Sequence, residues 1–309
     1  MSSSPEYVYA KELFRCGWGH PLWQPEAAEN DVEVEIGDVG YLDKGSFYRM
    51  FNACRDESDD LNYKPQDDPD ADELPRVPDG FRRFVTGLQP RKLRSAINAG
   101  PYHSKSVKRV GANANGTTYV AQVQLDFECT DEQGACLIVG SSARREELHQ
   151  RRRIENYMKN NIDSWLRYAT DGLGLDMQLE DILFVKGWAK TTHWAVAAFT
   201  DQGRSANLHV SGSFGPLAKA GIGFEVRSDH YSAYHHAGPA GRESSVSQAA
   251  RDPNQCIFLH YLKMKRRFLL PARIIAAGEQ QDESSADDPD DGYDFMEVPS
   301  SKKVSGSTT

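Results

Sequence analysis

The sequence predicts an α+β fold with mainly antiparallel sheets and one long amphipathic helix. Three observations carry this expectation. Several segments alternate apolar and polar residues in period two, as a strand with one wet face requires. One stretch repeats apolar residues at three- and four-residue steps, the spacing of a helix face. The order is strands, one helix, then strands again, not the alternation that builds a parallel sheet.

The elements follow in order. Residues 1–13 are expected to be a flexible N-terminus, and 14–276 a single domain. Residues 14–26 (FRCGWGHPLWQPE) mix Gly, Pro and aromatics, which favours an irregular segment anchored by its rings. Val32, Val34 and Ile36 alternate with Glu33 and Glu35 as a half-buried strand, and Gly37-Asp38 and Gly40 mark turns. Residues 46–54 suit a short helix or an apolar strand. An acidic, Pro-rich insertion over about 55–79 lacks the apolar area to offset ordering entropy. After a basic stretch over 80–112, residues 119–129 (YVAQVQLDFEC) alternate cleanly, and DEQG at 131–134 turns them back onto ACLIV at 135–139. A helix over about 142–170 is expected to carry Leu148, Ile154, Met158, Ile162, Trp165 and Ala169 on one face. Ser141 or Ser142 would cap its start, and Gly172 and Gly174 would stop it. Asp181–Phe199 reads as strand, turn and strand; 206–214 and 221–228 as strands; 229–253 as a loop; and 255–270 as one long strand or two. From about 277 the chain is acidic and Ser-rich and is expected to be a disordered tail.

Charge is unevenly placed. The 309 residues carry a formal −9, but 55–73 alone holds −7 and 281–297 holds −8. Setting both aside leaves +6, a mildly basic body with acidic appendages. The N-terminus lacks a basic region followed by an apolar one, and no apolar run reaches the ~20 residues of a membrane helix. The five cysteines are dispersed without a C-x-x-C pair, which reads as reduced thiols of a soluble cytoplasmic protein.

The segment Gly187-Trp188-Ala189-Lys190-Thr191-Thr192 is the main candidate site. A phosphate-cradling G-x-x-x-x-G-K-[ST] loop ending at Lys190-Thr191 needs glycines at 184 and 189, where Phe184 and Ala189 stand. The better reading is a hairpin turn framed by Trp188 and Trp194, with Lys190, Thr191 and Thr192 as candidates for ligand contact. His230, His235 and His236 are weak metal candidates, because their spacing fits no helix-based zinc pattern. No G-x-S-x-G elbow, paired-carboxylate site or cofactor motif appears, so the balance leans against an enzyme. Basic clusters include Arg82-Arg83, Arg91-Lys92 with Arg94, and Arg151-Arg152-Arg153. They suit a protein partner or an anionic membrane surface, whereas nucleic acid is disfavoured by the lack of a stacking-aromatic motif.

Gly19-His20-Pro21-Leu22-Trp23-Gln24-Pro25-Glu26 is similar to the opening G-x-P-L-W-x-P-E of a large group of uncharacterised proteins from mushroom-forming fungi. Ile36-Gly37-Asp38-Val39-Gly40 with Phe51-Asn52, the Leu183–Trp194 block, and Asn254-Gln255-Cys256-Ile257-Phe258-Leu259 resemble later blocks, in the same order. The group reads V-T-G-C-x-K where this chain has Val185-Lys186-Gly187-Trp188-Ala189-Lys190. The resemblance implies a fungal intracellular protein and brings no activity with it. One short block is also similar to gasdermin-like membrane-attacking proteins. The leading expectation is a non-enzymatic protein-interaction module. A membrane-acting protein and a phosphate-ligand enzyme using 187–192 are the alternatives.

Overall fold

The computed structural model describes residues 3–26, 33–62, 76–115, 122–200, 206–213, 225–228, 233–239, 253–267 and 270–276. The fold is mixed α+β, and its strand pairs are antiparallel. In chain order the elements are helix α1 (Pro5–Phe14), β1 (His20–Pro21), β2 (Asp38–Asp43), β3 (Ser46–Asn52), β4 (Arg91–Ile97), β5 (Gly100–His103), β6 (Val107–Asn115), β7 (Gln122–Cys129), β8 (Gly134–Val139) and β9 (Ala143–Glu147). Helix α2 (Arg151–Arg167) follows, then β10 (Leu183–Thr191), β11 (Trp194–Phe199), β12 (Ala206–Ser213), β13 (Glu225–Ser228), β14 (Ala233–Gly238), β15 (Gln255–Arg267) and β16 (Leu270–Ala276).

Three sheets result. The largest runs β1-β15-β10-β2-β3, with β16 on β15, β9 also on β10, and β4 on β9. The second is β14-β11-β8-β5 and the third is β13-β12-β7-β6. The second sheet is buried on both faces. Leu137, Val139, Trp194 and Val196 face a core shared with Val8, Tyr9 and Leu13 of α1 and with Phe258 of the first sheet. Cys136, Ile138, Ala195, Ala197 and Phe199 face the opposite way, against Phe127, Leu208 and Val210 of the third sheet. Two-sided burial is why ACLIV and WAVAAF read as unbroken apolar runs. Helix α2 packs Ile154, Met158, Ile162 and Trp165 on Val39, Phe51, Phe184 and Leu262 of the first sheet. No helix among the described residues is long and apolar enough to cross a membrane.

Several local expectations are corrected. Residues 5–14 are not a loose terminus: a helix with Pro at its first turn buries Val8, Tyr9 and Leu13. The long helix starts at Arg151, not near 142, and Gln150, not a serine, occupies its N-cap. Residues 143–147 (ARREE) are strand β9, where Arg144 pairs with Glu146 and Arg145 with Glu147. Pairing at i,i+2 is what a strand provides, since alternate residues share a face. The helical stretch does end near the expected glycines, through a turn over Tyr168–Gly172 and Gly174 at φ +67°. Residues 46–52 are a strand. β7 and β8 do not pair as a hairpin: β7 lies between β6 and β12, and β8 between β5 and β11. Part of the expected loop 229–253 is strand β14. Residues 63–75 of the acidic insertion and all of 277–309 lie outside the described residues.

Candidate functional site

Gly187 to Thr191 is not a turn. It is the interior of β10, a nine-residue strand buried along its whole length. One edge of this segment pairs with β9, from Gly187 opposite Glu147 to Lys190 opposite Arg144. The other pairs with β15, from Gly187 opposite His260 to Thr191 opposite Gln255. Strand pairing therefore occupies both edges, and no backbone cradle for a phosphate forms. Gly187 serves a close approach: a Cβ there would meet the Glu146 carbonyl oxygen at 2.5 Å and the Glu147 Cα at 2.9 Å.

Lys190 is 1% exposed. Its ammonium lies 2.8 Å from Glu33 Oε2, 3.7 Å from Glu35 Oε1 and 4.2 Å from the Trp188 ring centre. The covering segment 33–36 is pinned by a second buried pair. Arg49 donates to both carboxylate oxygens of Asp38 at 2.6 and 2.8 Å, and to the Glu33 carbonyl at 2.7 Å. Asp38 also accepts from the Glu35 backbone N–H and from Asn52 Nδ2, each at 2.7 Å. Burial raises the Glu35 pKa, against the pull of Lys190. Lys190 is thus the interior counter-charge of a glutamate-bearing cover, and its charge is not presented to solvent.

The true corner is Thr192-His193, where the chain leaves the first sheet for the second. Thr192 shares a 2.6 Å hydrogen bond with Ser141 Oγ, and Thr191 Oγ1 donates to the Ser141 carbonyl at 2.7 Å. This stitches it to residues 140–142, where β8 crosses to β9. Trp188 and Trp194 do not pack as a pair. Trp188 lies with Leu22, Val185 and Leu259, while Trp194 lies in the α1 core and donates to Gln255 Oε1 at 3.1 Å. His236 is a packing residue: its Nε2 lies 2.7 Å from the Trp23 carbonyl oxygen, and its ring meets Trp23 and Trp194 edge-on. Burial lowers the pKa of His236 and of His235. His230 lies outside the described residues. No group of three or more His, Cys, Asp and Glu is placed to hold a metal among the described residues.

A second charged cluster escaped sequence reasoning. Glu147 lies 2.9 Å from Lys186, is also bonded by Arg145, and stands 3.9 Å from Nδ1 of fully buried His260. Burial alone would raise the Glu147 pKa, but the cations, Lys186 foremost, hold it at about 2. His260 is pushed down to about 3 by burial, aided by Arg145 and Lys186 and opposed by Glu147. It is a neutral imidazole at neutral pH, fully buried, with its Nε2 against the Gly19 backbone.

One exposed edge among the described residues is β4. Arg91, Lys92, Leu93, Arg94 and Ser95 are all exposed, so both faces of this strand end are bare. β4 pairs with β9 on one side only among the described residues. Residues 80–95 hold five bases and no acid. Val85 and Leu88, 55% and 64% exposed, and Leu93 at 37% place apolar side chains among those bases. The loop before β4 is fixed to α2: Arg153 lies over the Phe84 ring, and the Gly87 N–H donates to Gln150 Oε1 at 3.2 Å. No family model matches the chain, and no curated protein matches it either. The likeness to fungal proteins therefore rests on the residues quoted above.

Proposed function

We propose that this protein is a non-enzymatic interaction module that captures an extended acidic segment of a protein partner along β4. The observation that carries the reading is an exposed edge strand bearing Arg91, Lys92 and Arg94, with Leu93 among them and Val85 and Leu88 beside it. An edge strand has one row of unpaired N–H and C=O groups, and an added strand satisfies them. Charges of a single sign repel a second copy of the same edge and select a segment of opposite sign. Among the described residues Arg82, Arg91 and Arg94 have no ion pair, so their charge is available to such a partner. The buried placement of Lys190 argues against the phosphate-ligand enzyme.

A basic and apolar surface also suits anionic lipid. The bare edge favours a peptide: hydrocarbon leaves strand N–H and C=O groups unsatisfied, whereas a peptide strand pairs with them. The test is fluorescence anisotropy of a labelled strand-forming acidic peptide, alongside co-sedimentation and leakage with anionic vesicles. Binding that weakens with salt and drops at least about ten-fold in Arg91→Glu/Arg94→Glu is expected. Vesicle binding with leakage, and no peptide binding, would replace the proposal with the membrane reading.

A further inference from the structure

The chain itself contains a segment with the chemistry that β4 selects. Residues 281–297 carry eight acids and no base. Within them Tyr293-Asp294-Phe295-Met296-Glu297 sets Tyr293 and Phe295 at period two around Asp294. Laid beside Arg91-Lys92-Leu93-Arg94, such a strand places acids against the arginines and an aromatic ring against Leu93. The acidic insertion lacks this pattern of alternating rings.

The geometry permits the contact. The last described element, β16, ends at Ala276 opposite Leu262, which lies opposite Phe184. Counting across β15, β10 and β9 to β4 gives four strand spacings, and the register offset from Phe184 to Trp188 adds four residues. Together these separate the end of β16 from the middle of β4 by roughly 25 Å. The 16 residues 277–292 span at most about 55 Å when extended. The connection is therefore long enough, and being on the same chain raises the local concentration of the segment above that of a competing partner.

We infer that residues 281–297 pair with β4 of the same chain and compete there with the partner's acidic segment. This rests on the reading of β4 as an acceptor strand. The segment thereby sets a threshold: a partner gains the strand only by exceeding the affinity of the internal occupant. Phosphorylation of Ser284 and Ser285, which lie among the acids, would add negative charge and strengthen the internal contact.

The experiment uses the full chain and a full-length release variant, Asp290→Asn/Asp291→Asn/Asp294→Asn with Tyr293→Ser/Phe295→Ser. Residue-resolved hydrogen exchange is measured over 91–95, and a labelled 281–297 peptide is titrated into both proteins. Exchange over 91–95 is expected to be at least about ten-fold faster in the release variant, which should also bind the peptide at least about ten-fold more tightly than the wild type. Adding Arg91→Glu/Arg94→Glu to the release variant should abolish that binding. Equal exchange and equal peptide affinity in the two proteins would overturn the inference. So would protection that disappears on dilution, which would place the segment on a second copy. If the release variant binds an unrelated acidic strand peptide but not 281–297, this inference fails and the reading of β4 stands. If it binds neither, both fail.

Discussion

Gly187 and Lys190 show how a residue can mislead when its neighbours in space are unknown. A glycine between apolar runs signals a turn in general, but here it admits the backbone of β9. Gly187→Ala should therefore cost about 1–3 kcal/mol through overpacking, visible as a lowered urea midpoint. An unchanged midpoint would mean that β9 moves freely. Lys190→Met keeps the stem against Trp188 and removes the charge, whereas Lys190→Ala also opens a cavity. Both should destabilise, the alanine variant more, by about 1–3 kcal/mol relative to methionine. Neither should alter a response to nucleotides or sugar phosphates, because wild type should show no thermal shift with them. His260 gives a pH dependence. Its folded pKa, about 3, lies below the ordinary imidazole value of 6.5, so the unfolded chain binds the proton first as pH falls. Its contribution is intact above about 6.5 and is lost on descending toward 3, at about 1.4 kcal/mol per pH unit. Unfolding midpoints at pH 7 and pH 5 should differ less in His260→Leu than in wild type. Part of the slope should persist, because burial also lowers the pKa of His20, to about 4, and of His236. Glu147, held at about 2, adds a further loss only below its ordinary range.

Among the elements, those with one wet face were the most legible. The alternation in 122–129 and the apolar stripe of α2 each report a single buried side, so period alone identifies them. ARREE reads as helix from sequence because Arg and Glu are good helix formers. Its i,i+2 charge pairs were the available signal for a strand. The sheet partners of β7 and β8 were not legible, since a short DEQG link looks the same whether it closes a hairpin or carries the chain between sheets. α1 is not legible in the sequence because its buried residues, Val8, Tyr9 and Leu13, are few and do not repeat at a helical period. Removing residues 1–14 should accordingly destabilise the protein by roughly 5 kcal/mol, the worth of burying three large side chains. A truncated protein with the wild-type unfolding midpoint would show that α1 does not anchor the second sheet. As for β4, its bases form one cluster among several in the sequence; only the topology shows that this cluster lies on an edge.

At the scale of the molecule, charge is sorted by burial. Lys186 and Lys190 lie inside against glutamates, while the bases of 80–95 lie outside on a bare strand and its approach loop. These interior ion pairs contribute to one fixed arrangement of sheets, and β4 is an exposed edge on the body. The most direct test follows the backbone of that strand. β4 pairs with β9 in regular antiparallel register over Arg91–Leu93, and the register breaks between Leu93 and Ile97; alternate amides of 91–93 face outward and exchange freely unless a further strand is added. On saturating the release variant with an acidic strand peptide, those alternate amides should slow markedly, and a peptide N-methylated on its pairing edge should leave them fast. Exchange over 91–95 that is unchanged while the peptide is bound would contradict the account.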